Sequence, residues 1–303
     1  MTFKIGYLLP TRENILVGEH GTKSLLARAK LAQELGYDSL WIGDSLLARP
    51  RHDPLTLMAA VGATVPDVQI GTAVLLPMLR NPVVLAQQIA TIDQICEGRL
   101  VIGAGIAADN PAIRAEFQAA GVPFEKRVGT MLEGFRLCRA LWRGEPVDHS
   151  GRWTVEQGKL APIPHRDCGP PIWLAASVPQ GIERAAKHFD GWFPIGPNAE
   201  KFAEGQQVFE AAGGKDLTTA VYLTVSVNDD AEVADAAINT YLEDYYNAPA
   251  KIMRSFQACC GGSIEDVREF VLSFVSGGAN HVVLRLVGDH EHTLPLLIQS
   301  LRD

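Results

Sequence analysis

The 303-residue chain carries 47% hydrophobic and 20% charged residues, the balance of a folded globular protein and not of a disordered or fibrous one. Its 27 basic residues stand against 35 acidic ones, a net charge of −8 with no basic run, which argues against a phosphate-neutralising nucleic-acid surface. No stretch of about 18 uninterrupted apolar residues occurs, so no membrane span is expected.

In chain order, short apolar runs bounded by Gly, Pro and Asp alternate with longer stretches of helical period, the pattern of repeated βα units around a parallel sheet. Ile5–Leu9 reads as strand 1. A helix over Gly21–Leu35 follows, with Leu25, Leu26, Ala29 and Ala32 on one face, and then strand 2 at Asp38–Ile42. Asp53-Pro54 and Asn81-Pro82 open the next two helices, with proline in the first turn where its missing N–H does no harm. Strand 3 falls at Ile70–Leu75 and strand 4 at Leu100–Gly103. Residues 111–144 are helical in character. The next stretch, 145–171, holds too many Pro and Gly residues for a regular element and reads as a lid or insertion. Strands 5 to 8 fall at Ile172–Ala176, Gly191–Ile195, Thr218–Val227 and His281–Val287, with a helix-rich stretch over 231–256. Length alone allows one domain or two. Eight strands separated by helices point to an α/β protein of the (β/α)₈ TIM-barrel class, one domain over 1–303 with its insertion between strands 4 and 5.

The start Met-Thr-Phe-Lys leads directly into a strand-like run with no signal-peptide pattern, and a cytoplasmic protein is expected. Cys96, Cys138, Cys168, Cys259 and Cys260 are odd in number and lack CxxC spacing, which suggests neither a disulfide framework nor a zinc site. The histidines show no HExxH pattern, and no metal is expected.

In a barrel the site lies at the C-terminal strand ends. Here these ends are unusually uncharged: Leu9-Pro10, Asp44-Ser45, Ala73-Val74-Leu75, Gly103-Ala104-Gly105-Ile106, Ala175-Ala176-Ser177 and Trp192-Phe193-Pro194. Such a pocket suits a large planar cofactor that brings its own reactivity. Gly103 and Gly105 let backbone approach a ligand, or serve only tight packing; the full GxGxxG spacing of a dinucleotide site is missing. Ser177 precedes the helix after strand 5, where it either caps that helix or helps its N-terminus bind a phosphate. Asp44 is the one acid ending an apolar strand. His52 follows strand 2 as a candidate general base or a solvated loop residue, with Arg49 and Arg51 beside it for an anionic group or for solubility.

Several of these segments resemble the luciferase-like monooxygenase superfamily in order and spacing. They are Gly71-Thr72, Val74, Pro77, Arg80, Pro82, Ala86 and Gln88; Gly98-Arg99 with Gly103 and Gly105; Glu116-Phe117; Pro170-Pro171 with Trp173; and Asp190-Gly191-Trp192. The resemblance implies a barrel with an insertion after strand 4, commonly dimeric, binding reduced FMN or a deazaflavin coenzyme across the strand ends. It also implies a non-proline cis peptide at Ala73-Val74. The ring would rest on Ala73, Val74 and Leu75 with Gly105 and Ile106 alongside, and the phosphate would meet Ala176, Ser177, Gln180 and Gly181.

Two positions depart from the family's pattern. Many members place a histidine directly after the acid that ends strand 2, where this chain has Ser45. Ile106 stands where the deazaflavin-dependent sugar-phosphate dehydrogenases have an acid, which disfavours that activity, and where luciferases often have a phosphate-binding arginine. The leading expectation is an FMN-dependent monooxygenase acting on a small, largely apolar substrate, with a partner reductase supplying reduced flavin. A deazaflavin (coenzyme F-420)-dependent reductase or dehydrogenase and a non-catalytic flavin-binding paralogue are the alternatives. Asp44, Ser45 and His52 are the catalytic candidates.

Overall fold

The computed structural model describes residues 3–303; Met1 and Thr2, which begin the stretch read above for a leader, lie outside the described residues. Eight parallel strands close into a barrel: β1 (Lys4–Leu8), β2 (Ser39–Ile42), β3 (Gln69–Thr72), β4 (Leu100–Ala104), β7 (Ile172–Leu174), β8 (Gly191–Trp192), β9 (Thr218–Val227) and β11 (His281–Leu286). Closure comes from β1 pairing with β11, at Lys4 opposite His281 and Tyr7 opposite Leu284. The helices between strands start where the sequence marks them. Asp53 Oδ1 accepts from Thr56 N–H at 2.8 Å and Asn81 Oδ1 from Val83 N–H at 2.9 Å, each just before a first-turn proline. No described helix is long and apolar enough to cross a membrane.

Two segments differ from the sequence reading. The insertion contains an antiparallel hairpin, β5 (Val147–Ser150) with β6 (Thr154–Gly158), whose register shifts between Val147 and His149. Its glycine punctuation marks the turn and the strand end, and does not break the strands. Glu133 anchors it to the preceding helix, Arg127–Leu141: its carboxylate accepts from the Arg152 backbone N–H at 2.6 Å and also pairs with the Arg152 guanidinium. The second is β10 (Cys259–Gly262), a short parallel strand added alongside the long β9, with Cys259 opposite Thr224 and Gly262 opposite Val227. A Cys-Cys-Gly-Gly stretch has no period-two alternation by which it could have been read.

Side chains inside the barrel follow the period of two. Trp41, Trp173 and Phe193 meet there with ring centroids 5.1–6.1 Å apart, together with Leu8, Val101, Ala220, Tyr222 and Val283. Trp41 has its room because Gly6 and Gly71 flank it: a Cβ at Gly71 would fall 2.3 Å from its ring and one at Gly6 2.5 Å from Nε1. This aromatic plug fills the barrel, so a ligand reaches only its mouth. A second, larger core lies between barrel and helices and takes the opposite strand faces, among them Ile5, Leu40, Ile70 and Leu284.

Candidate active site

At the mouth, one wall is built from small apolar residues of β3, β4 and β7. β3 ends at Thr72 because the chain turns through Ala73 and Val74, joined by a cis peptide bond as the family resemblance implies. The turn is stitched on both sides. Ala73 N–H donates to the Ile42 carbonyl at 2.8 Å, Leu75 N–H to Gly103 at 2.7 Å, and Gly105 N–H to Leu75 at 2.9 Å. A Cβ at Gly105 would fall 2.6 Å from Val74 Cγ2, so only glycine lets these two strand ends close on each other. Ala73, Val74, Ile106, Ala175 and Ala176 remain half-buried and give a low, uncharged surface.

At the edge of that wall the helix Pro179–His188 begins. Ser177 does not cap it: Val178 occupies the cap position, and no side chain bonds there. Pro179 has no N–H, and the amides of Gly181 and Ile182 return to the Val178 carbonyl at 2.8 and 3.0 Å, so the Gln180 N–H and the positive end of the helix dipole are what this helix end presents beside exposed Ser177.

Several expected ligand contacts turn out to be scaffold. Leu75 is fully buried in the barrel–helix layer and both its backbone groups are engaged, so it has nothing to offer a ring. Gly103 is glycine for packing, since a Cβ there would fall 2.1 Å from the Thr72 carbonyl oxygen. Gly181 is buried, and its missing Cβ leaves room for Ala176 at 2.9 Å.

The structure engages two of the catalytic candidates, Asp44 and Ser45, with scaffold partners. Asp44 is 9% exposed and its carboxylate accepts from Arg80, at 2.6 and 3.1 Å, and from Leu76 N–H at 2.9 Å. Ser45 Oγ donates to Glu116 Oε2 at 2.8 Å and accepts from Arg49 N–H at 3.0 Å. The same Glu116 oxygen takes the N–H groups of Leu46, Leu47 and Ala48 at 2.7–2.9 Å, so Glu116 and Ser45 together fold the loop after β2. His52 sits 2.9 Å from the His20 carbonyl, which fixes its Nε2 as a proton donor. Its neighbour Arg51 reaches the mouth instead: a Cβ on Gly43 would lie 2.3 Å from Arg51 Nη1 and 3.6 Å from the Ala73 carbonyl oxygen.

The opposite wall contradicts the expectation of a pocket with few polar points. Arg285 follows Val283 by two positions on β11 and so points into the barrel one layer nearer the mouth; it is 1% exposed. It donates to Thr224 Oγ1 at 2.8 and 3.0 Å, to Gln257 Oε1 at 2.5 Å and to Tyr246 OH at 3.0 Å. The rings of Tyr222, Tyr241, Tyr245 and Tyr246 surround its guanidinium at 5.0–5.6 Å. Arg12 and Arg51 lie over the Tyr245 ring, and Arg49 over Tyr246 at 4.6 Å. Burial pushes the phenols of Tyr222, Tyr241 and Tyr245 up from their ordinary values, so they stay neutral donors. Glu13 is the carboxylate within this group, and it accepts from Tyr241 OH. The signals in the sequence were a lone arginine at an inward position of an apolar strand and three tyrosines within 241–246.

Comparison with known proteins gives a consistent set of relatives. Residues 3–288 match the family described as luciferase-like monooxygenase. An F420-dependent glucose-6-phosphate dehydrogenase of Rhodococcus erythropolis is 30% identical over 71% of this chain and 68% of its own length. A protein of the same name from Nocardia farcinica is 34% identical over 57% and 53%. The match thus spans from about half to two thirds of the length of these curated relatives. Among solved structures, an F420-dependent secondary alcohol dehydrogenase in complex with an F420–acetone adduct superimposes with a TM-score of 0.84 at 20% identity, covering 100% of both chains; at that identity the likeness speaks for the fold. The barrel, its insertion and this sequence match place the chain in the luciferase-like monooxygenase family, as an oxidoreductase enzyme.

Proposed function

We infer that the protein is a deazaflavin (coenzyme F-420)-dependent oxidoreductase that moves a hydride to or from a small substrate. The observation that carries this reading is the sequence similarity to relatives named as F420-dependent dehydrogenases. The expectation of an FMN-dependent monooxygenase gives way to its alternative on that ground, and with it the need for a partner reductase. Ile106 still lacks the acid of the sugar-phosphate dehydrogenases, so their substrate is not carried over.

The residues present fit such a coenzyme. Ala73, Val74, Ile106 and Ala176 offer a flat apolar wall kept low by Gly105, and the helix end at Gln180, with the Ser177 hydroxyl beside it, offers donors to a phosphate. When bound, the deazaflavin supplies a two-electron carrier that accepts or returns hydride. The chain's own part is to hold and to shield. The aromatic plug beneath the wall excludes water from below. Glu13, the carboxylate of the mouth cluster, takes or returns the proton that leaves a substrate hydroxyl as hydride leaves its carbon.

Titrating the purified protein with coenzyme F-420, FMN and reduced FMN, followed by fluorescence, tests the cofactor. Saturable binding of F-420 with at least tenfold weaker binding of both flavins is the expected result. The reverse order of affinity would return the monooxygenase reading.

A further inference from the structure

The arginines at the mouth present a charge imbalance that the fold does not resolve. Arg285 and Arg12 are 1% and 8% exposed, and Arg51 and Arg49 are half-buried beside them. Among the described residues none of the four has a carboxylate oxygen within 4 Å, whereas Arg80, Arg114, Arg152 and Arg254 all do. One carboxylate, Glu13, stands in the cluster against four guanidinium groups, and its Oε1 is taken by Tyr241 OH. Removing guanidinium groups from water is costly unless a counter-charge meets them, and tyrosine faces replace only part of that loss. Such a cluster, kept at the mouth of a barrel, suits an oxyanion that arrives with a ligand.

The position separates this ligand from the coenzyme's own phosphate. Arg12 follows β1, Arg51 and Arg49 follow β2, and Arg285 stands on β11 beside Thr224 of β9. The uncapped helix end follows β7, and the apolar wall belongs to β3, β4 and β7. In the ring order β1-β2-β3-β4-β7-β8-β9-β11, β7 lies diametrically across from β1. A ring laid on the apolar wall with its phosphate at Ser177 has the arginines on the far side of the mouth, where the second reactant must enter.

Resting on the deazaflavin reading, we propose that the substrate is a small anionic molecule whose carboxylate or phosphate is held by Arg51, Arg285 and Arg12. The hydroxyl of Tyr245 is a further donor beside it, whereas that of Tyr246 is spent on Gln257 Oε1 at 3.2 Å. This replaces the largely apolar substrate expected from the strand ends alone. Arg51 is the binding residue best placed between the two walls, since its Nη1 packs against Gly43, whose other neighbour there is the Ala73 carbonyl.

The test is calorimetric titration of the F-420-loaded protein, and in parallel of the coenzyme-free protein, with inorganic phosphate and with succinate. Wild type, Arg51→Met, Arg285→Met and the exposed control Arg114→Met are compared. The expected result is saturable binding of at least one anion, weakened at least tenfold by Arg51→Met and unchanged by Arg114→Met, with F-420 affinity unchanged within twofold in Arg51→Met. Which anion binds more tightly separates a phosphate ester from a carboxylic acid as substrate. Arg285 is buried, so Arg51→Met decides the matter if Arg285→Met does not fold. No anion binding, or binding indifferent to Arg51→Met, overturns the proposal. Loss of F-420 affinity in Arg51→Met with anion binding intact also overturns it, by assigning the arginine to the coenzyme. If wild type fails to bind F-420, the deazaflavin reading falls, and the coenzyme-free titration still decides whether the arginines hold an anion.

Discussion

Arg80 grips both carboxylate oxygens of Asp44, Nη1 on Oδ2 at 2.6 Å and Nη2 on Oδ1 at 3.1 Å, and with the same Nη2 reaches Asp53 Oδ2 at 3.0 Å. One arginine thereby ties the end of β2 to the turn after β3 and to the N-cap of the helix Pro54–Thr64. Asp44 is a positioning residue for the Ala73–Val74 wall. Asp44→Ala leaves the Arg80 guanidinium largely buried with only Asp53 for company, a loss of about 3 kcal/mol. A fall in Tm of several degrees is expected, together with weakened F-420 binding. An unchanged Tm with lost turnover would restore Asp44 to a catalytic role.

Ser45 stands where many family members have a histidine, and it serves the loop held by Glu116. Ser45→Ala removes one charge-assisted hydrogen bond to a buried carboxylate, a cost of about 2 kcal/mol. Chemical denaturation should show that loss while kcat changes less than threefold. A hundredfold drop in kcat at unchanged stability would contradict the assignment.

Ser177→Asp places a carboxylate just before the cap position of the helix Pro179–His188, where it repels a phosphate and interacts favourably with the helix dipole. Affinity for F-420 should fall at least tenfold while Tm holds or rises. Affinity for a form of the deazaflavin that lacks the phosphate should be unaffected. Equal loss for both compounds would place Ser177 against the ring.

Stability should depend on pH through two buried histidines. His281, hydrogen-bonded to Ser39 Oγ, is pushed down to about 3 by burial, and His290, against Tyr7 OH, to about 4. Both pKa values lie below the unfolded value of about 6.5, so the unfolded chain takes up protons first as pH falls. The native state is therefore favoured above pH ~6.5 and loses stability progressively from there toward the two folded values. Urea midpoints measured across that window should decline. The decline should be shallower in His290→Gln, and an identical slope in that variant would count against a neutral buried His290.

The barrel was legible because its strands are apolar runs punctuated by Gly, Pro and Asp, and because Asp53-Pro54 and Asn81-Pro82 mark helix starts by local chemistry alone. The Ala73–Val74 turn and Gly105 were legible through resemblance. The rest depended on partners far apart in sequence. Asp44 looked catalytic until Arg80, 36 residues on, took its carboxylate, and Ser45 until Glu116, 71 residues on, took its hydroxyl. Arg285 was overlooked because strand-end reading stops at the residues after an apolar run, whereas this arginine lies within one. Three of its four tyrosine partners come from a helix, Ala231–Tyr246, whose docking over the mouth no local pattern encodes.

The most direct test of the account is the oxygen dependence of turnover. With F-420 and a panel of sugar phosphates, hydroxy acids and simple alcohols, coenzyme reduction should proceed at the same rate with and without oxygen, and deuterium at the oxidised carbon should slow it and appear in the reduced coenzyme. Product formation that requires both oxygen and reduced FMN, with no F-420 reduction by any member of the panel, would contradict hydride transfer and with it the central claim.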